Sequence, residues 1–428
     1  MIKIEALYEY FLSCSLIAID TRKIETNSMF FALNGERYDA NTFAADALQL
    51  GASYVVIDNS DYFIDHRTIV VNDSLKTLQN LASYHRDQLK LPIIAITGSN
   101  GKTTSKELIN AVLAQKFKVG ATVGNLNNHI GVPLTLLTFN KNTEIGIVEM
   151  GANHQKEIEF LCQIAKPDYG YITNFGKAHL EGFGGAVGVV AGKSEMYTFL
   201  IDNDKMIFIN LDDAVQNEKT VGISRFSFSQ SNNDANVVLS SCSANPFVKI
   251  SFDGLTIQSN LIGIYNYSNI GIAITIGHYF GVSANAIKNA IEGYVPNNNR
   301  SQLIHKNSNT IILDAYNANP SSMQAALANF MAIDNQSKIV FLGDMFELGI
   351  ESDSEHRALV TAIAQYPNST FYLVGDAFYK CKFNSNSIHF FENFEKLVAS
   401  FNEKPIVNST ILIKGSRGMA LERILDFL

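Results

Sequence analysis

The chain has 428 residues, which at about 150 residues per domain suggests about three domains. With 28 glycines and 8 prolines it is no collagen-like or Gly/Pro-rich disordered protein, and 46% hydrophobic against 17% charged residues is enough to bury several cores. A formal charge of −8 leaves no basic field across the molecule to attract nucleic acid or an anionic membrane, though it is compatible with a local basic pocket.

Taken in chain order, the first residues do not read as a signal peptide, because Glu5 and Glu9 interrupt the apolar run and no small-residue cleavage site follows. No run of about 18 uninterrupted apolar residues occurs, so a soluble, cytoplasmic protein without membrane insertion is expected. Short strand-like runs at 54–57 and 68–71 lie between helical patterns. Near Leu91-Pro92 the pattern changes: a β-branched run at 93–97 leads into GSNGKTT and then an amphipathic helix to about residue 115. Strands at 145–150, 169–173 and 206–211 then alternate with helices at 155–165 and 188–200, the signature of a mostly parallel sheet covered by helices. The Ser- and Asn-rich stretch 223–260, with Asp253-Gly254 between two alternating runs, predicts an antiparallel insert. Helices at 266–281 and 284–292 lead to VPNNNR, read as a linker, and strands at 310–314, 338–342, 371–374 and 410–413 form a third, smaller α/β unit. The boundaries that follow are 1–90, 91–298 and 299–428. Cys14, Cys162, Cys242 and Cys381 lie far apart without CxxC or CxxH spacing and read as reduced, mostly buried thiols.

The chemistry concentrates in Gly98, Ser99, Asn100, Gly101, Lys102, Thr103 and Thr104, between a buried-type strand and a helix. Glycines let successive N–H groups point into one concavity, the helix N-terminus adds positive potential, the lysine meets outer phosphates and Thr103 can reach Mg²⁺. The longer GxxxxGK[ST] pattern is not met, since Ile96 stands where its first glycine would be. Against a plain Gly-rich turn with a solvated lysine stand the strand–loop–helix context and the doubled threonine; an ATP site is expected. Glu149, at the carboxyl end of a strand, can hold a cation near phosphates, or simply cap a helix. His179 also follows a strand, but a lone histidine is more often structural, and Lys193 alone reads as a solvated lysine.

These segments together resemble the Mur ligase family, ATP-dependent amide-forming enzymes of peptidoglycan synthesis, over nearly the whole chain. The segments TRK at 21–23, FAL at 31–33, NGER at 34–37 and DA at 39–40 are similar to the family's N-terminal signature. TGSNGKTT at 97–104, GNLNNHIGVPLTLL at 124–137, EMGANHQKEI at 149–158 and HLEGFG at 179–184 carry the centre. DAYNANP at 314–320, GDM with ELG at 343–349, and KGSR at 414–417 carry the C-terminal part. GNLNN and YNANP are more diagnostic than the phosphate loop, which all relatives share; they resemble the members that join D-alanyl-D-alanine to UDP-N-acetylmuramoyl-tripeptide.

The resemblance implies a small N-terminal α/β domain for the UDP-substrate, a central P-loop ATPase-like domain with a mostly parallel sheet and an antiparallel insert, and a Rossmann-like C-terminal domain. It implies ATP and two Mg²⁺ as cofactors. Lys102 and Thr103 would serve the phosphates and Mg²⁺; Glu149 and His179 fall on metal-binding positions; and Lys193 falls on the lysine the family carries as a carbamate. Asn266 and Arg300 match nucleotide-contacting positions, and Asp314 with Asn317 matches the block that closes on ATP. Thr21, Arg22, Lys23, Asn34, Gly35, Glu36 and Arg37 would hold the UDP-sugar. Asn125, Asn127, Asn128, Asn319, Lys414, Ser416 and Arg417 would line the rest of the substrate path. His129 stands where the family commonly has Asp, Ile264-Tyr265 where a basic pair is usual, and Asn299 where Gly is usual. An acyl-phosphate route and a monomer are expected. Outside the family, the same loop would serve a phosphotransferase or a silent nucleotide-binding regulator.

Overall fold

Buried β-branched runs followed by helices organise the computed structural model, which describes residues 2–35, 38–335, 337–401 and 406–428. Near the N-terminus four parallel strands lie in the order Ile17–Ala18, Ser28–Phe31, Ala52–Ile57 and Thr68–Val70. Phe30, Val55 and Ile57 pack one face against Ala44 and Ala47 of the helix Ala44–Gln49. Met29, Phe31 and Val56 pack the other against Leu78 and Leu81 of Ser74–Leu89.

Ser74–Leu89 begins where the Asp73 carboxylate accepts the Lys76 N–H and ends at Lys90, whose φ is +53°. It also packs on the central helices Gly131–Thr138 and Glu157–Ala165. Buried His85 bridges Tyr8 Oη (3.1 Å) and Phe139 O (2.9 Å). Arg86 donates to Ala165 O and Lys166 O and pairs with Asp168 at 2.7 Å. One helix therefore serves the N-terminal sheet and its dock on the centre.

The central sheet has seven parallel strands, ordered Val237–Val238, Arg225–Ser229, Met206–Asn210, Tyr169–Ile172, Ile93–Thr97, Ile145–Glu149 and Val119–Ala121. Ile93–Thr97 is buried along its length, as its unbroken apolar run requires in a sheet covered on both faces. Helices Lys102–Leu113 and Tyr267–Tyr279 cover one face, Glu157–Ala165 and Ala186–Asp202 the other.

The stretch 223–260 is only partly the antiparallel insert expected. Ser240–Ala244, Phe247–Phe252 and Leu255–Ile262 are antiparallel, with a two-residue turn in which Asp253 and Gly254 both have positive φ. Arg225–Ser229 and Val237–Val238 instead extend the central sheet in parallel. Their serines look solvent-facing in the sequence, but Ser227 and Ser229 are buried on Asn236 and Asp212.

The C-terminal sheet runs Gln302–Lys306, Asn309–Asp314, Thr410–Lys414, Lys338–Gly343, Thr370–Val374 and Ile388–Phe391, the first antiparallel and the rest parallel. Its edge strands Gln302–Lys306 and Ile388–Phe391, like Val119–Ala121, carry too weak an apolar pattern to be foreseen. The connecting stretch 295–300 is irregular and tethered at its start: Tyr294 Oη (2.5 Å) and Asn298 Nδ2 (3.1 Å) both donate to the Glu107 carboxylate, on the helix Lys102–Leu113. Only Cys162 is buried; Cys14, Cys242 and Cys381 are half-buried, against the expectation of mostly buried thiols, because Cys14 and Cys381 lie in turns just past the helices Ile4–Leu12 and Asp376–Tyr379 and Cys242 lies on the largely exposed strand Ser240–Ala244. Among the described residues no helix is long and apolar enough to cross a membrane.

Candidate active site

The strands Ile93–Thr97, Ile145–Glu149 and Tyr169–Ile172 end at one edge of the central sheet, and a cavity of about 1200 Å³ opens there, closed from above by C-terminal residues. The phosphate loop forms its floor. Gly98 has φ +135° and lies so close to the next strand that a Cβ would stand 2.0 Å from Thr173 Oγ1. Gly101 has φ +81°, and a Cβ there would meet Asn269 Oδ1 at 2.4 Å. Backbone shape and lack of room thus both demand glycine. Lys102 Nζ donates back to Gly98 O (2.6 Å) and Ser99 O (3.3 Å). Burial depresses its basicity to about 8, with Glu149 opposing and Arg300 assisting. Ser99 Oγ is buried with no partner among the described residues, while Thr104 is buried at the start of the helix.

Glu149 is 2% exposed. Its carboxylate accepts from Thr103 Oγ1 (3.0 Å) and Asn127 Nδ2 (2.8 Å), both neutral donors. A hydroxyl and a buried carboxylate at the edge of a phosphate cradle are the hard oxygen donors Mg²⁺ takes alongside substrate phosphates, so the residues fit such an ion. Among the described residues no three His, Cys, Asp or Glu side chains converge as a complete cage. His179, with φ +52°, lines the same cavity, but its Nδ1 is paired with Glu347 of the C-terminal domain. Lys193 is not among the lining residues: it is 1% exposed, donates to Ala152 O (3.0 Å) and lies 4.8 Å from the centre of the Phe183 ring. Burial, then the Lys102 charge, press its amine well below the ordinary lysine value against Glu157 and Glu195.

From the C-terminal side Asp314 pairs with buried Lys414 at 2.6 Å, and Lys414 also donates to Asn317 O (3.3 Å). The Arg300 guanidinium stacks 3.7 Å over the Tyr316 ring, and its Nε is buried without a partner among the described residues. Asn319 caps the helix Pro320–Ala332 and donates to Asn100 Oδ1 (2.8 Å) of the phosphate loop. Asn266 is 3% exposed and accepts from Asn269 Nδ2 at 2.7 Å. All of these except Ser416 and Arg417 line the cavity; Ser416 is buried, accepting from Phe346 N (2.9 Å), and Arg417 faces outward on Glu422 (2.9 Å).

Asn125, Asn127 and Asn128 line the cavity toward the N-terminal domain; Asn128 Oδ1 also accepts the Ile130 and Gly131 N–H groups. Thr21, Arg22 and Lys23 form a short 3-10 turn in which Arg22 pairs with Asp20 at 2.6 Å. They, Asn34 and Gly35 are not among the lining residues; Asn34 donates to Asp58 at 2.9 Å, and Glu36 and Arg37 lie outside the described residues. Sequence reasoning gave no role to Asn269, Tyr316 or Glu347. Asn269 was discoverable, three residues after Asn266 on one helix face; the pairings of Tyr316 and Glu347 exist only in three dimensions.

Comparison with known proteins agrees with this geometry. Residues 96–277 match the Mur ligase middle domain and residues 299–417 the Mur ligase, glutamate ligase domain. The UDP-N-acetylmuramoyl-tripeptide--D-alanyl-D-alanine ligase of Bacillus subtilis (strain 168) is 33% identical over 422 residues, covering 96% of this chain and 92% of that protein. A crystal structure of MurF from Acinetobacter baumannii superposes with TM-score 0.86 at 28% identity, covering 99% and 98% of the two chains. The MurF ligase of Thermotoga maritima in complex with ADP shares the fold, with TM-score 0.84 at 24% identity over 97% of each chain. With such a relative matched along nearly its whole length, and both domain models in order, the chain belongs to the Mur ligase family.

Proposed function

We propose that the chain is an ATP-dependent ligase that joins D-alanyl-D-alanine to UDP-N-acetylmuramoyl-tripeptide, giving the pentapeptide, ADP and phosphate in peptidoglycan synthesis. The observation that carries it is the phosphate loop closed over by Asn319, Arg300 and the Asp314–Lys414 pair, in a chain whose relatives bear that name. Residues 1–90 would take the UDP-sugar, 91–298 ATP, and 299–428 close on both. The nucleotide-linked substrates make the cytoplasm the place of reaction.

A carboxylate is a poor electrophile near neutral pH, so the tripeptide carboxylate oxygen attacks the γ-phosphorus and ADP leaves. The dipeptide amine then attacks the acyl carbon, phosphate departs and the amine proton is released. Most of the work is positioning and charge neutralisation. Lys102, held on its own loop carbonyls, meets the phosphates, which restore its basicity; Arg300 adds a second cation from above. Thr103 and Glu149, with His179 and a carbamylated Lys193, are the proposed holders of two Mg²⁺, which when bound neutralise phosphate oxygens. The carbamate is supported by the depressed basicity of Lys193, since only a neutral amine takes up carbon dioxide. Closure of the C-terminal domain excludes water from the acyl phosphate.

The test is phosphate release by the purified protein with ATP, Mg²⁺, D-alanyl-D-alanine and the tripeptide in its lysine and diamino-acid forms, each component omitted in turn. Release that needs both substrates, with the pentapeptide mass formed, is the expected result. Release without the dipeptide would count against the ligase, and amine-independent accumulation of a stable phosphoester would instead make the protein a phosphotransferase.

A further inference from the structure

Residues 174–184, leading from the strand Tyr169–Ile172, reach into the C-terminal domain and are held there at separate points. Lys177 N donates to Ser321 Oγ (2.9 Å) and Lys177 Nζ pairs with Glu355 (2.5 Å). Two residues on, His179 Nδ1 meets the Glu347 carboxylate, and Glu347 O accepts the Glu181 N–H at 3.3 Å. Glu347 sits on a fixed loop: Met345 N donates to buried His356 Nε2 (3.1 Å) and Phe346 N to Ser416 Oγ (2.9 Å). Both members of the pair adopt left-handed backbone, φ +52° for His179 and +61° for Glu347. For residues other than glycine that shape costs about 1–2 kcal/mol each and persists where surrounding structure imposes it.

A half-exposed ion pair contributes little to docking, about 0–1 kcal/mol, and the Lys177 contacts and the Asn100–Asn319 bond already join these surfaces. What the pair does control is the imidazole. A metal-binding histidine usually gives its second nitrogen to a carboxylate, which fixes the ring's orientation and raises its basicity as a ligand. We infer that Glu347 is a positioning residue: held on the C-terminal domain, it seats the His179 ring through Nδ1 and leaves Nε2 for a divalent cation, so that this ligand is in place only while the two domains are docked. The inference rests on the ligase assignment and on the proposed role of His179. Cation affinity and domain closure then rise together, and the open enzyme binds its second cation poorly.

The test is Mn²⁺ binding followed by electron paramagnetic resonance on the full chain with a non-hydrolysable ATP analogue and no peptide substrate. Glu347→Ala is expected to weaken Mn²⁺ binding by about 10–100-fold, the usual effect of losing such a partner, and Glu347→Gln by less. Glu355→Gln, which cuts the neighbouring strap, is expected to leave it unchanged, and Glu347→Ala is expected to add nothing in a His179→Ala background. Metal-free ADP binding in EDTA certifies that each variant is folded. Unchanged Mn²⁺ affinity in Glu347→Ala, an equal loss in Glu355→Gln, or an additive effect on His179→Ala would overturn the proposal. Since no peptide is present, a wild-type enzyme that binds Mn²⁺ as described but makes no pentapeptide refutes the ligase assignment alone.

Discussion

Gly98→Ala tests the link between backbone shape and nucleotide binding. At φ +135° the new side chain sits in a region nearly reserved for glycine, costing about 1–3 kcal/mol. Its Cβ would lie 2.0 Å from Thr173 Oγ1, 2.9 Å from Thr173 N and 3.1 Å from Asn174 N. The hydroxyl can rotate away, losing its 2.5 Å bond to Asn100 O at about 1 kcal/mol, but the two backbone nitrogens cannot. The loop must therefore move off the strand, carrying the N–H groups that would cradle phosphate. The sum is about 2–4 kcal/mol, and if the loop bears it, ADP binding weakens by at least about 30-fold. Isothermal titration with ADP gives the binding loss, and urea unfolding gives the global cost. Gly222→Ala is the control, with φ +75° but no atom within 4 Å of its Cβ. It should cost about 1–2 kcal/mol in stability and leave ADP affinity untouched. Wild-type ADP affinity in Gly98→Ala would refute the reasoning.

Lys102 makes nucleotide-free stability depend on pH. Its folded value of about 8 lies below the unfolded 10.5, so the unfolded chain holds the proton more tightly; stability is lowest below pH 8 and climbs by about 3 kcal/mol as pH rises through 10.5. Urea midpoints of wild type minus Lys102→Met across that range should show the climb, and an equal slope in both would count against it. Arg86→Met removes two carbonyl bonds and the Asp168 pair at a site where the arginine side chain is 10% exposed; Lys205 still compensates Asp168, so the expected loss is about 2–3 kcal/mol in urea unfolding. A loss under about 0.5 kcal/mol would mean that the N-terminal dock does not depend on it. Asn319→Ala loses a capping box and the Asn100 bond together, so stability should fall by about 1–2 kcal/mol and the KM for ATP should rise; an effect on stability alone would reduce Asn319 to a cap.

Much of the fold was legible because its strands announce themselves. The runs IIAI at 93–96 and ILI at 411–413 are unbroken and apolar, as strands hidden in a doubly covered parallel sheet are. Arg225–Ser229 was grouped with the antiparallel insert on its Ser-rich composition, and nothing local tells that Asp212 and Asn236 will satisfy the serines from elsewhere in the chain. In the site, Lys102, Thr103 and Glu149 were readable because contiguous motifs at strand ends bring them together. His179 was ambiguous because its partner lies 168 residues further along the chain, on Glu347. The cavity role expected for Ser416 and Arg417 gave way to a loop anchor and a surface ion pair, because residues that adjoin in a motif diverge once the strand Thr410–Lys414 ends.

The tether of Tyr294 and Asn298 to Glu107 fixes where the chain leaves the central domain for the C-terminal one. Residue 298 is pinned to the same helix that opens at Lys102, and Ser301 Oγ is bonded to Tyr265 Oη (2.7 Å) of the central domain, so a C-terminal domain that turned would have only these few residues to swing on. Asn299 and Ser301, both at positive φ, flank Arg300 there. The link between the two domains and the cavity-facing guanidinium are therefore the same three residues. A swing of the domain would reorient Arg300 directly, with no relay between motion and contact, and a nucleotide that held Arg300 would act as a brake at the axle, where a small displacement governs a large arc.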